Sequence, residues 1–252
     1  MTTSSSSSLT GQCALITGAA RRIGAAIATT LHAAGANIAI HYRSSSDDAE
    51  QLCADFNKLR KNSAAVFKAD LQYPEQIEVL AEAVVGWHDR LDILVNNAST
   101  FYPTPLGSVT QQQWNDLLDS NLKAPLFLSQ AALPALRKNG GNIVNIVDIH
   151  AVRPLRDHAV YGSAKAGLAM LTRSLAKDLA PQVRVNAVAP GAIMWPEDGM
   201  TEATQQSILE QIPLARQGAA DDIAGAVLYL VRDASYVTGQ ILAVDGGRSL
   251  GW

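Results

Sequence analysis

The chain has 252 residues, with 48% apolar residues, 17% charged residues and a formal charge of −3. A chain of this length buries about 72% of its unfolded surface, so one full core is available and disorder of the whole chain is excluded. The slight acidity argues against nucleic acid or an anionic membrane as the main partner, and two cysteines, Cys13 and Cys53, exclude a disulfide scaffold or a multi-cysteine metal site.

The opening MTTSSSSSLT has neither a charged n-region nor an apolar h-region. It reads as a disordered Ser-rich tail over residues 1–9, followed by a single domain over 10–252. No apolar run is long enough to span a bilayer, and the expectation is a soluble cytoplasmic protein without a metal.

Along the chain, short apolar runs alternate with longer amphipathic stretches. The runs are 13–17, 37–42, 64–68, 91–95, 142–147, 183–188 and 240–244. The stretches between them fall near 22–34, 47–61, 75–88, 111–138, 160–180 and 220–232. This rhythm predicts an α/β fold, a Rossmann-type doubly wound sheet of seven mostly parallel strands with helices on both faces. Strands buried on both faces read as continuous apolar runs, as ILVNN and NIVNIV do. The rhythm breaks over 189–218, and a substrate loop is expected at about 190–215. In such a sheet ligands lie beyond the carboxyl ends of the strands, so the residues after each strand carry the argument.

After the first strand comes Thr17-Gly18-Ala19-Ala20-Arg21-Arg22-Ile23-Gly24. Gly18, Ile23 and Gly24 begin a helix whose amides and positive potential suit a pyrophosphate, and Arg22 adds charge there. The alternative is a plain strand-to-helix turn. The second strand ends in Tyr42-Arg43-Ser44-Ser45-Ser46 with no acid before Asp47. An acid there would hold a ribose 2′-hydroxyl, whereas arginine and serine suit a 2′-phosphate, so NADPH is expected. Ser46 could at the same time cap the next helix. Asp70, beside Leu71, could accept from an adenine amino group or cap a turn. Asn97, Ala98 and Ser99 could brace backbone beside a cofactor or form an ordinary turn.

Tyr161 and Lys165 stand four residues apart, on one face of a predicted helix. A lysine beside the phenol is expected to lower its pKa and make it a proton donor and acceptor at neutral pH. Alone, the pair far more often means surface packing.

In order and spacing, Thr17–Gly24, Asn96–Ala98, Asn121, Tyr161, Lys165 and Pro190-Gly191 resemble the short-chain dehydrogenase/reductase family over almost the whole chain. The resemblance implies hydride transfer from a nicotinamide with Tyr161 as proton donor. It implies that Lys165 binds the nicotinamide ribose, that Asn121 helps hold a relay water, and that Pro190 and Gly191 border the cofactor. Two positions depart from the family pattern: Arg22 replaces a glycine, and Asp148 replaces the usual catalytic serine. With TGAARRIG, HYRSSS, NNASTFYPTPL and DGGRSL, both departures resemble the pteridine reductase branch. That likeness implies a pterin substrate, such as dihydrobiopterin, dihydromonapterin or dihydrofolate. It implies a pterin stacked on Phe101 and contacted by Arg22, Ser99, Asp148 and Tyr161, with Asp148 orienting Tyr161 or donating a proton to the ring. It also implies a homotetramer, and the short terminus adds the expectation that Trp252 reaches a neighbouring subunit's site. The rival readings are a 3-oxoacyl thioester or sugar carbonyl reductase, where serine is usual at 148, and a non-catalytic NADPH-binding sensor. Met194 and Trp195 could cover the substrate side chain or pack on their own domain, and His150 and Arg153 are expected at the surface.

Overall fold

The apolar runs become the strands of one sheet in the structure, a computed structural model that describes residues 8–195 and 200–251. The strands are β1 (Cys13–Ile16), β2 (Asn37–Tyr42), β3 (Ala64–Lys68), β4 (Ile93–Asn96), β5 (Asn142–Ile146), β6 (Arg184–Pro190) and β7 (Ile241–Val244). Their order is β3-β2-β1-β4-β5-β6-β7, and all six pairings are parallel. The helices are α1 (Arg22–Ala33), α2 (Ser46–Leu59), α3 (Pro74–His88), α4 (Gln111–Leu118), α5 (Ala124–Asn139), α6 (Ala159–Leu179), α7 (Glu202–Leu209) and α8 (Ala220–Leu228).

Successive strand residues point to opposite faces, and both faces are covered. Ile16, Ile40 and Val95 pack with α1, α2 and α8, while Leu15, Ala39 and Leu94 pack with α3, α5 and the end of α6. This is why the strands read as unbroken apolar runs. Among the described residues no helix is long and apolar enough to cross a membrane.

Three expectations change in detail, and the substrate loop holds the short helix that its sequence pattern suggests. Leu9, assigned to the tail, is buried and its N–H donates to Ala34; residues 1–7 of that tail lie outside the described residues. Ser46 is the first residue of α2 rather than its cap, and its hydroxyl donates to Asp47. The stretch 111–138 is not one helix. Thr110 and Gln113 form a reciprocal capping box that starts α4, and a π turn over Asp119–Lys123 separates it from α5. There the Asn121 side-chain amide takes the Leu117 carbonyl at 3.0 Å, and the ladder widens so that Ala124 N–H reaches Asp119. The expected substrate loop contains the exposed helix α7, while residues 196–199 and Trp252 lie outside the described residues.

The base of the sheet is held by one buried carboxylate. Asp92 accepts from the Cys13 N–H at 2.8 Å and takes both ends of the Arg90 guanidinium at 2.7 and 2.8 Å. Removing it strands a donor at the start of β1. Asp92→Ala is therefore expected to lower the unfolding free energy by about 2–3 kcal/mol at an unchanged m-value in a urea titration. A loss below about 1 kcal/mol, the size of an ordinary net hydrogen bond, would contradict this account of β1.

Candidate active site

The strand order reverses between β1 and β4, and the segments after β1 to β4 open around a cavity of about 390 Å³. Gly18, Arg22, Ile23 and Gly24 line it from the turn after β1. Tyr42, Arg43 and Ser44 line it from the end of β2, and Asp70 and Leu71 from the end of β3. Asn97, Ala98 and Ser99 complete it after β4. Pro190 and Gly191 do not line this cavity. They end β6, where a Cβ on Gly191 would lie 2.6 Å from Asp245 Cβ, so glycine lets the C-terminal turn close on that strand.

The turn after β1 is tight for stated reasons. Gly18 has φ +62°, and a Cβ on Gly24 would sit 2.2 Å from the Gly18 carbonyl oxygen. The Thr17 hydroxyl oxygen accepts from the N–H groups of Asn97 and Ala98, both at 2.9 Å. Asn97 Nδ2 donates back to the carbonyls of Thr17 at 2.8 Å and Gly18 at 3.2 Å. Asn97 thus braces the turn, as one of the two sequence readings had it. The result is backbone bare of side chains at Gly18 and Gly24, at the start of the twelve-residue helix α1, a shape and potential that suit a dinucleotide pyrophosphate. Asp70 Oδ1 accepts from Gln72 N–H at 3.1 Å, so it caps a turn while bordering the cavity.

Arg22 departs from ordinary backbone geometry. Its φ of +53° is left-handed, a conformation that costs a non-glycine residue about 1–2 kcal/mol. Its Nη2 donates to the carbonyls of Met194 at 3.2 Å and Trp195 at 3.3 Å, joining the turn to the segment after β6. Arg21 Nε donates to Asp48 at 2.6 Å, tying the same turn to α2.

The reacting groups meet beyond β5 and at the start of α6. Asp148 Oδ1 accepts from His150 N–H at 2.8 Å, and Oδ2 accepts from the Tyr161 hydroxyl at 2.7 Å. Burial and the Asp148 charge push the Tyr161 phenol well above its usual range, with Ser99 pulling weakly the other way. This overturns the expectation that Lys165 lowers it. The Lys165 ammonium lies 5.7 Å from the Tyr161 ring centroid and donates to the Ile146 carbonyl at 2.9 Å. Burial pushes Lys165 down to about 8, against the holding effect of Asp148.

Asn121 is fully buried and braces Ser99. Its Oδ1 accepts from the Ser99 hydroxyl at 2.7 Å, and its Nδ2 donates to the carbonyls of Thr100 and Leu117. Phe101 is half-exposed, edge-on to Tyr161 with centroids 4.8 Å apart. Its ring also stacks on His158 at 4.7 Å, so one face is already occupied. His158 escaped the sequence reading, although it lies three residues before Tyr161, one helical turn away. His150 and Arg153 are half-buried: His150 Nδ1 bonds the Arg153 carbonyl at 2.8 Å, and Arg153 Nε donates to Ser249 at 2.8 Å.

A family profile described as Enoyl-(Acyl carrier protein) reductase matches residues 18–249. The chain is 37% identical to "Pteridine reductase 1" of Leishmania tarentolae, over 96% of this chain and 97% of that one. It is equally 37% identical to "3-oxoacyl-[acyl-carrier-protein] reductase FabG" of Staphylococcus aureus, over 93% of this chain and 96% of that one. Among solved structures, a blue fluorescent protein from a metagenomic library, in complex with NADPH, superposes with a TM-score of 0.89 at 36% identity. That match covers 96% of this chain and 99% of the other.

Lys165 supplies a test of the site's electrostatics in the ligand-free protein. An unfolded lysine titrates near 10.5 and the folded one near 8, so between these values the unfolded state holds a proton that the folded state has released. Stability must then rise with pH across that window on account of Lys165. The stability of the unaltered protein relative to Lys165→Met is expected to grow by about 3 kcal/mol from pH 8 to 10.5. A difference that stays flat across those pH values would contradict the burial assigned to this ammonium.

Proposed function

The chain belongs to the short-chain dehydrogenase/reductase family, and from that premise we propose that it is an NADPH-dependent reductase of dihydropterins. The observation that carries this reading is the 2.7 Å hydrogen bond from Tyr161 to Asp148. With the phenol proton committed to the carboxylate, the pair turns acceptor atoms toward a ligand. A pterin has an amino-pyrimidine edge rich in N–H donors and complements that surface. A 3-oxo thioester carries no such donor edge beside its reacting carbonyl. Phe101 adds an aromatic wall beside Tyr161, worth about 1 kcal/mol beyond burial for a stacked ring.

NADPH is supported by Arg43 and Ser44 in the cavity, where the sequence has no acid before Asp47. When bound, the reduced nicotinamide supplies a hydride to C6 or C7 of the ring. The chain's own residues handle the proton. Tyr161 and Asp148 share one proton at 2.7 Å, because ionising the phenol beside the carboxylate would place two negative charges together. The pair takes a second proton from solvent and delivers it to the ring nitrogen adjacent to the reduced carbon. The C=N bond becomes C–N with its hydrogen, and the original shared proton remains. Lys165 holds positive charge under Tyr161 and steadies this exchange, and Asn121 fixes the Ser99 hydroxyl at the cavity wall. The intact proton-handling pair argues against a sensor without turnover.

Assembly into a homotetramer forms part of the same proposal. Leu242 on the edge strand β7 and Met170 on α6 are exposed apolar side chains that a second copy would cover. Cytoplasmic placement is likewise proposed.

Asp148→Ser separates the two substrate classes. The variant is expected to lose at least a hundredfold in kcat/KM for dihydrobiopterin, while turnover of an acetoacetyl thioester stays the same or rises. Equal losses on both substrates would remove Asp148 from substrate choice and with it the main support for a pterin.

A further inference from the structure

His41 is buried at the end of β2, with only 2% of its surface exposed, and the reaction above makes no use of it. Its ring spans the gap between two segments that border the cavity. The Gly18 N–H donates to His41 Nδ1 at 3.1 Å, and His41 Nε2 lies 3.1 Å from the Ala69 carbonyl oxygen. These two bonds fix the chemistry of the ring. A nitrogen that accepts from a backbone N–H carries no proton, so Nε2 holds the single ring proton and donates it to Ala69. The imidazole is therefore neutral with one tautomer. Burial pushes its pKa down to about 4, against the pull of the Ala69 carbonyl and of Asp70.

The backbone of the same residue adds a third tie, since Ala19 N–H donates to the His41 carbonyl at 2.9 Å. Gly18 is thereby gripped from two sides. His41 takes its N–H, and Asn97 donates to its carbonyl at 3.2 Å. Gly18 is also the residue whose φ of +62° turns the chain into the backbone surface facing the cavity. Ala69, at the far end of the ring, precedes Asp70 and Leu71 on the opposite wall. β2 lies between β1 and β3, and main-chain bonds from Ala19 N–H to the His41 carbonyl and from Ala69 N–H to the Tyr42 carbonyl tie each segment only to β2; the His41 ring joins the two directly.

We propose that His41 is a positioning residue for the dinucleotide, a neutral two-ended strut that sets the spacing between the phosphate-binding turn after β1 and the wall after β3. The inference rests on the reading of this cavity as the NADPH site. It predicts that loss of the strut weakens cofactor binding without touching the proton-transfer groups, which lie beyond β5 and on α6.

The test compares the unaltered protein with His41→Leu and His41→Asn. NADPH affinity is measured by fluorescence titration and turnover at saturating NADPH. His41→Leu is expected to raise the NADPH Kd and KM at least tenfold and to leave kcat within twofold. His41→Asn keeps an acceptor for the Gly18 N–H but does not reach Ala69, so its Kd is expected to fall between those of His41→Leu and the unaltered protein. An unchanged Kd in His41→Leu, a fall in kcat that matches the rise in KM, or an asparagine no better than leucine would each overturn the proposal. Nitrogen NMR of the histidine rings in the unaltered protein tests it without any variant. The expected signature is one ring with a bare Nδ1 and a protonated Nε2 throughout pH 5.5–8, whose Nδ1 resonance moves when NADPH is added. An imidazolium or a protonated Nδ1 would overturn it. Failure of the unaltered protein to bind NADPH would overturn the cofactor reading and this inference together, whereas binding that ignores His41 overturns this inference alone.

Discussion

Everything at this site depends on how the chain closes the carboxyl end of a parallel sheet at the point where its strand order reverses. Backbone groups that leave the ladder there must find partners or lose about 1–3 kcal/mol each. The chain solves this with three short polar side chains. Thr17 satisfies two N–H groups after β4, Asn97 returns two donors to the turn after β1, and His41 joins that turn to the end of β3. The cavity is what remains between segments pinned in this way. Its glycines are consequences of the same closeness, since a side chain at Gly24 would occupy space already held by the Gly18 carbonyl.

The second region works by electrostatic balance. A buried ammonium, a buried phenol and a carboxylate stand within one helical turn and one loop of each other. Lys165 is costly to bury, and its bond to the Ile146 carbonyl and the nearby Asp148 charge offset part of that cost. Tyr161 keeps its proton because Asp148 accepts it. A serine at 148 would supply no negative charge and would carry a proton of its own, which is why the proposed reading ties substrate choice to this position. Asp148 is itself held by the backbone of His150, which makes its orientation a property of the loop rather than of the ligand.

Much of this was legible in the sequence. The strands could be placed because both faces of the sheet are buried, which turns an alternating pattern into unbroken apolar runs. The residues around the cavity could be placed because ligand sites in such sheets follow the strand ends. What was hidden is equally physical. The helix break within 111–138 had a visible signal in Pro125, which stands in the first turn of α5 where its missing N–H is tolerated; the hidden part is the Asn121 side chain, which takes the Leu117 carbonyl inside the π turn. The direction of the Tyr161 shift depends on which of two charges the hydroxyl faces, and residue spacing on a helix does not report that. His41 and His158 act through contacts with distant segments, with Gly18 and Ala69 in one case and Phe101 in the other. The equal 37% identity to a pteridine reductase and to a 3-oxoacyl reductase shows the same limit from the other side. Overall identity does not choose between the two, so the proposed reading rests on a few side chains beyond β4 and β5.

The most direct measurement is NADPH oxidation, followed by absorbance, with dihydrobiopterin, dihydromonapterin, dihydrofolate and an acetoacetyl thioester offered side by side at equal concentration. The account predicts rapid turnover confined to the dihydropterins. Turnover of the thioester alone would contradict it, because Asp148 and the Phe101 wall would then have no part in choosing the substrate.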